Sequence, residues 1–267
     1  MASVPATLRA KTVEPWIPTL AMTATLRVNQ MTQMQKLFCI NDAKCVKIIL
    51  SPVQPQHMIF NIERPNTFYG DEAKGVLGTK HLLDRLLLKE FDKCMLNNDF
   101  ENFQKTIIFV KNVVEGIQIG TLLTHRYKTV PINQRPWIVY HSKTLNVTNA
   151  HTYKKCDNDM LKLIITTPRV LMGVNLPKFR KVIMLGPYSK LSDITQAVGR
   201  TGRREEGGRA QSILYNCWNN KDLYRNTSDD VVSFCKSKEC LKSVLHEHFT
   251  NHYKTFGGKW CCNNCSL

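Results

Sequence analysis

Short apolar runs of four to six residues recur along the chain, at 58–62, 106–110, 137–140, 161–166, 182–185 and 212–215. They are rich in Ile and Val, and polar or turn-forming residues separate them. Such runs suit strands buried on both faces, as in a parallel sheet. Between them lie stretches with helical periodicity. Leu82, Leu83, Leu86, Leu87 and Phe91 mark one apolar face, 113–123 predicts a crossover helix, and another helix starts near Ser192. Strands alternating with helices predict an α/β layered domain built on a parallel sheet.

The two ends of the chain differ from this middle. At the front, residues 20–25 read as a strand end entering a polar loop. A helix follows, with Val28, Met31, Met34, Leu37 and Phe38 on one face. Residues 51–65 hold three prolines and read as a connector with one short strand, 58–62. From about Trp218 the pattern changes to a helical stretch at 241–253, a Gly-Gly turn and a cysteine cluster. This tail is too small for a core of its own, so a metal or docking must stabilise it. The expected division is 1–56, 57–217 and 218–267.

Charge narrows the class of partner. Lys plus Arg number 37 against 21 Asp plus Glu, a formal charge of +16. A fold does not need that excess, which favours a polyanion through counterion release. No run of about 18 apolar residues predicts a membrane span. The N-terminus has no secretory apolar region, so a cytosolic or nuclear chain is expected. Of ten cysteines, four crowd the tail: Cys240, Cys261, Cys262 and Cys265. A terminal cluster in such a chain points to metal more than to disulfides.

The sharpest motif is Gln-x-x-Gly-Arg-x-Gly-Arg, formed by Gln196, Gly199, Arg200, Gly202 and Arg203. Two arginines three apart, each behind a glycine, can bring two guanidiniums to one point. Arginine stays charged and grips phosphate oxygens with a planar fork, which suits a transferring phosphoryl group.

This string resembles motif VI of superfamily-two helicases, and other segments resemble the RecQ family in order and spacing. Residues 164–175 resemble motif V, 22–25 motif III, 106–110 the strand of motif IV, Tyr140 and His141 the pair that follows it, and 63–66 the entry to the second RecA-like domain. The resemblance implies a RecA-like parallel sheet flanked by helices, the helicase C-terminal domain, at 57–217. A remnant of the first RecA-like domain (1–56) would precede it, and a small helical zinc-binding segment (218–267) would follow. It implies an ATP-dependent 3′-to-5′ DNA helicase acting in recombination and repair in the nucleus, with ATP and Mg2+, on single-stranded or forked DNA. In that family Arg200 and Arg203 would face ATP, one as arginine finger, with Gln196 organising the site. Gly199 and Gly202, with Gly173 and Asn175 of motif V, would lie beside the nucleotide. Thr23, Thr25 and Thr167 would couple nucleotide state to DNA.

The tail resembles the RecQ zinc module through Cys240, Cys262 and Cys265. The fourth ligand is open between Cys261, the helical pair His248 and His252, and a position beyond Leu267. Departures are Pro168, Arg169 and Leu171 in motif V, and Asn112 where the family usually carries a hydroxyl. Residues 246–250 lack the second histidine of a His-Glu-x-x-His zinc motif, and the tail lacks the motifs of a nucleobase deaminase.

The sequence contains no Gly-x-x-x-x-Gly-Lys-Ser/Thr phosphate loop and no Asp-Glu-x-His magnesium motif. A fragment of a longer gene, inactive alone and lacking the ATP-binding front half, is therefore expected. The alternatives are a non-enzymatic basic DNA-binding module and a non-functional remnant.

Overall fold

The computed structural model describes residues 59–63, 83–141, 155, 159–167, 179–185, 190–199, 211–215 (backbone), 227–250, 254–256 and 261–265, with Gln30 and Gln33. Its centre is a six-stranded, all-parallel sheet. The strands are β1 (Ile59–Glu63), β2 (Thr106–Phe109), β3 (Trp137–Tyr140), β4 (Leu163–Thr166), β5 (Lys181–Leu185) and β6 (Gln211–Tyr215). Their order across the sheet is β1-β6-β5-β2-β4-β3. The RecA-like α/β expectation holds, with each strand within about two residues of its apolar run, the ordinary uncertainty of strand ends.

Alternation along the buried strands separates two cores. Ile108, Ile165 and Ile183 face one side. Ile107, Ile164 and Val182 face the other. The first side is covered by a wide π-type turn (Asp84–Leu88), helix α1 (Lys89–Asn97) and helix α2 (Val113–Arg126). The second is covered by α3 (Leu191–Val198), α4 (Asp229–Lys236) and α5 (Leu241–Thr250).

Local chemistry explains several element ends. Asn98 closes α1 in the left-handed region at φ 50°, which a short polar side chain tolerates. Asn112 opens α2. Its Oδ1 accepts the Glu115 N–H at 2.9 Å, while Glu115 Oε2 accepts the Lys111 N–H at 3.1 Å. Asn caps a helix as a hydroxyl does, which accounts for Asn112 where the family pattern carries a hydroxyl. The π-type turn departs from the regular helix expected there. It brings both Leu87 and Leu88 into the core, and its Leu86 carbonyl accepts from the buried Lys181 ammonium at 2.8 Å. Turns of this kind free carbonyls from the regular helical ladder.

The tail docks on the sheet. Val231, Phe234, Leu241, Leu245, Phe249, Cys261 and Cys262 share one core with Phe60, Ile62 and Val182. Among the described residues, no helix is long and apolar enough to cross a membrane.

Candidate metal centre and strand-end site

Cys240 stands at the entry to α5, where its carbonyl accepts the Val244 N–H at 3.0 Å. Cys262 and Cys265 bracket a single tight turn, Asn263–Cys265, closed by the Cys265 N–H on the Cys262 carbonyl at 3.1 Å. Cys261 lies beside them. All four sulfurs fall within 4.8 Å of one another. The Cys240 and Cys261 sulfurs are 3.4 Å apart, as are those of Cys262 and Cys265. A tetrahedral zinc with Zn–S bonds of about 2.3 Å needs sulfurs about 3.8 Å apart. The observed spacings bracket that value, so small side-chain rotations suffice.

The electrostatics point the same way. Burial raises the Cys240 thiol, but hydrogen bonds from the Ser243 hydroxyl and backbone, and from Cys261 and Cys265, bring it down to about 7. Burial pushes Cys261 well up, and the neighbouring Cys240 sulfur adds to the shift. Burial and the Cys262 sulfur raise Cys265 to about 12. One thiolate forms readily and its neighbours then resist ionising. A divalent cation removes that resistance, because it stabilises every thiolate at once. A group of four sulfurs among the described residues suits a soft or borderline cation.

Two of the fourth-ligand alternatives left open by spacing fall among the described residues. Cys261 joins the cluster. His248 instead sits 3.3 Å from the Asp230 carboxylate, its ring edge-on to Phe249. His252 lies outside the described residues.

The second group of expected site residues concerns the carboxyl ends of the strands, where ligands of open parallel sheets bind. Phe109, Thr166 and Met184 are in register across β2, β4 and β5, and Tyr140 is in register with Thr166. Thr167, His141 and the Asn112 cap therefore follow adjacent strand ends. Thr167 is half-buried, and its carbonyl accepts the Thr166 hydroxyl at 3.3 Å. Gln196 lies on α3, half-buried, while Leu191, Ile194, Thr195, Ala197 and Val198 are buried.

Gly199 caps α3 through its N–H on the Thr195 carbonyl at 3.0 Å. Its φ of −65° and ψ of 2° are open to any residue. The conformational freedom expected of Gly199 is thus not used here. An added Cβ would meet the Thr195 carbonyl oxygen at 3.3 Å, a tight contact. Arg200, Gly202, Arg203, Gly173, Asn175, Thr23 and Thr25 lie outside the described residues, as do Pro168, Arg169 and Leu171.

Two features escaped the sequence reading. The Asn112-x-x-Glu115 cap carries a legible signal, since the pattern is that of a capping box. Asn263 and Asn264, inside the cysteine turn, carry none, because their partners are distant in sequence.

The model of the helicase conserved C-terminal domain matches residues 84–205. A putative ATP-dependent RNA helicase of Acanthamoeba polyphaga mimivirus is 22 % identical over 275 residues, covering 96 % of this chain and 43 % of that protein. The ATP-dependent RNA helicase DBP6 of Candida albicans is 25 % identical over 229 residues, 79 % of this chain and 34 % of its own length. The chain thus spans less than half the length of these relatives. Among solved structures, S. cerevisiae Dbp5 bound to RNA and ADP–beryllium fluoride superposes with a TM-score of 0.54 at 16 % identity, over 90 % of this chain and 58 % of that one. The DEAD-box helicase Mss116 bound to single-stranded RNA gives 0.53 at 18 % identity, over 82 % and 38 %. These structural likenesses carry the fold. Residues 84–205 are thus similar to the helicase conserved C-terminal domain, with the RecA-like α/β fold of those structures.

Proposed function

We propose that this chain is the second RecA-like half of an ATP-dependent nucleic-acid helicase of the RecQ type. It would work on single-stranded or forked DNA, moving 3′ to 5′, in the nucleus. The observation that carries the type is the tail. A four-cysteine centre, fit for zinc, continues the core of a helicase C-terminal domain. The net charge of +16 supports a polyanionic partner.

In this reading residues 57–217 form the motor half, 218–267 the zinc segment, and 1–56 the end of a first RecA-like domain. ATP and Mg2+ would be held mainly by that first domain, since the sequence has no phosphate loop. Arg200 and Arg203 would neutralise charge on the transferring phosphoryl group, with Gln196, Gly199 and Gly202 shaping their approach. Gly173, Asn175 and Thr167 would stand between nucleotide and DNA, and Thr23 and Thr25 would relay closure of the two domains.

A second reading is RNA as substrate, because the curated relatives matched are named RNA helicases. A third is a basic DNA-binding module without turnover, favoured by the charge.

Anisotropy with a labelled fork of DNA and the same fork in RNA separates these readings. Expected is retention of DNA at low salt, lost steeply as salt rises. Retention of RNA alone overturns the RecQ type, and retention of neither overturns nucleic-acid binding. Turnover is tested in a chain joined to a RecA-like domain that carries the phosphate loop. There Arg203→Ala should lower ATP hydrolysis by about a thousandfold with folding intact. Full retained turnover would remove Arg203 from the site, and absence of turnover in the parent would favour the binding module.

A further inference from the structure

The two residues enclosed by Cys262 and Cys265 are both asparagines, and their amides reach two different elements. Asn263 reaches the edge strand. Its Nδ2 donates to the Ile62 carbonyl at 3.0 Å, and its Oδ1 accepts the Ile62 N–H at 3.4 Å. One side-chain amide thus satisfies both polar groups of one backbone residue, as a neighbouring strand would. Beside it the Phe60 N–H donates to the Cys261 carbonyl at 3.2 Å, and Phe60 and Cys262 form a parallel bridge. Asn264 reaches the other way. Its Nδ2 donates to the Ser237 carbonyl at 2.9 Å and to the Glu239 carbonyl at 2.7 Å. Those residues form the loop that delivers Cys240.

β1 is an outer strand of the sheet. In parallel pairing, alternate residues turn their backbone groups to opposite neighbours. Phe60 and Ile62 face the cysteine segment, so Asn61 faces β6. Without the segment, Phe60 and Ile62 would present the unpaired row that makes sheet edges prone to mispairing.

We propose that the Cys-Asn-Asn-Cys turn is a metal-set clasp. Filling the four-sulfur site holds Asn263 against β1 and Asn264 against the 237–239 loop, and so closes the sheet edge. Asn263 and Asn264 are positioning residues. The proposal rests on the reading of the four cysteines as a metal centre. Metal and clasp are then linked in both directions, because a coupling free energy is reciprocal.

The test is amide hydrogen exchange of the whole chain with one equivalent of zinc and after chelation. Cobalt substitution and zinc stoichiometry are read on the same sample. Chelation should speed exchange at Phe60 and Ile62 by about tenfold or more, while Asn61 and Ile107 keep their protection. Asn263→Leu should reproduce the loss at Ile62 with zinc still bound, and should speed zinc transfer to a chelator by about tenfold.

Zinc bound with a tetrathiolate cobalt spectrum, yet Phe60 and Ile62 indifferent to chelation, overturns the clasp and leaves the metal centre standing. Absence of stoichiometric metal overturns the metal centre itself. Equal loss of protection at Asn61 and Ile107 also overturns the clasp, since the metal would then hold the whole domain rather than its edge.

Discussion

The two faces of the sheet are stabilised by different means. On the face covered by α1 and α2, Phe91 packs edge-on against Phe100, Phe103, Tyr127 and Trp137, with ring centroids 5.3 to 6.4 Å apart. Leu83, Leu87, Leu88, Ile119 and Leu123 complete that layer. Large rings bury much area at small entropic cost, so apolar packing suffices. The opposite face is covered by helices of eight, eight and ten residues and by the cysteine segment. Helices this short are marginal alone. Phe60, Phe109, Phe179, Phe234 and Phe249 supply bulk there, and the thiol cluster lies in the same core. One face is therefore closed by a ring cluster, and the other combines apolar packing with a group of sulfurs.

The sharpest way to break this contrast is Phe91→Ala. Phe91 is fully buried, and the loss should be about 3–5 kcal/mol. Urea unfolding should give the same loss with and without zinc. A loss that depends on zinc would mean the two faces are not independent.

Metal removal is the counterpart on the second face. With free zinc at about a hundredfold its dissociation constant, chelation should lower stability by about 3 kcal/mol. Proteolysis should then accelerate within 240–265 while α1 and α2 stay protected. Unchanged proteolysis of the tail would argue that apolar docking alone holds it.

Gly120→Ala probes the close approach of α2 to the sheet. A Cβ there would lie 2.3 Å from Val139 Cγ2. Overpacking costs about 1–3 kcal/mol, and the better helix propensity of Ala offsets about 1 of these. The net expectation is a loss of up to about 2 kcal/mol in thermal unfolding. A gain would show that β3 yields at that point.

Asp92→Asn should have the smallest effect. Asp92 accepts from Arg126 Nε at 2.9 Å and from the Tyr127 hydroxyl at 2.6 Å. The Arg126 bond, with Tyr127, outweighs burial and lowers its carboxyl below the ordinary 3.8. A depressed carboxylate stabilises the fold above its unfolded value, and that stability is lost as pH falls through 3.8 toward the folded value. The pair is partly exposed, so the loss at neutral pH should be about 1 kcal/mol. Melting temperature followed against pH should show a shallower acid decline below pH 4 in the variant. An unchanged slope would remove Asp92 from the acid response.

The strands were legible because continuous Ile and Val runs leave little choice once both faces are covered. Helix α2 was legible from its periodicity. Helix α4 was not, although Asp229 and Asp230 open it and Lys236 closes it. Eight residues with apolar groups at 231, 232, 234 and 235 fit a strand or a helix equally, and length is the usual arbiter. In the candidate site, three cysteines were legible from Cys-x-x-Cys spacing and a cysteine ahead of a helix. The fourth was not, since Cys261 and His248 compete on equal terms in spacing. The fold brings one sulfur into the cluster and holds the imidazole against Asp230.

The sequence by itself determined the α/β alternation, the helicase-like order of motifs and the presence of a thiol-rich tail. Each is a local pattern, written in residues near one another along the chain. Only the tertiary structure decided that the tail shares the core of the sheet, that the Cys261 sulfur lies with the other three, and that Asn263 meets the β1 edge. Asn263 and Ile62 are 201 positions apart. A contact across that separation exists only once β6 has placed β1 at the sheet edge and α5 has returned the chain to meet it.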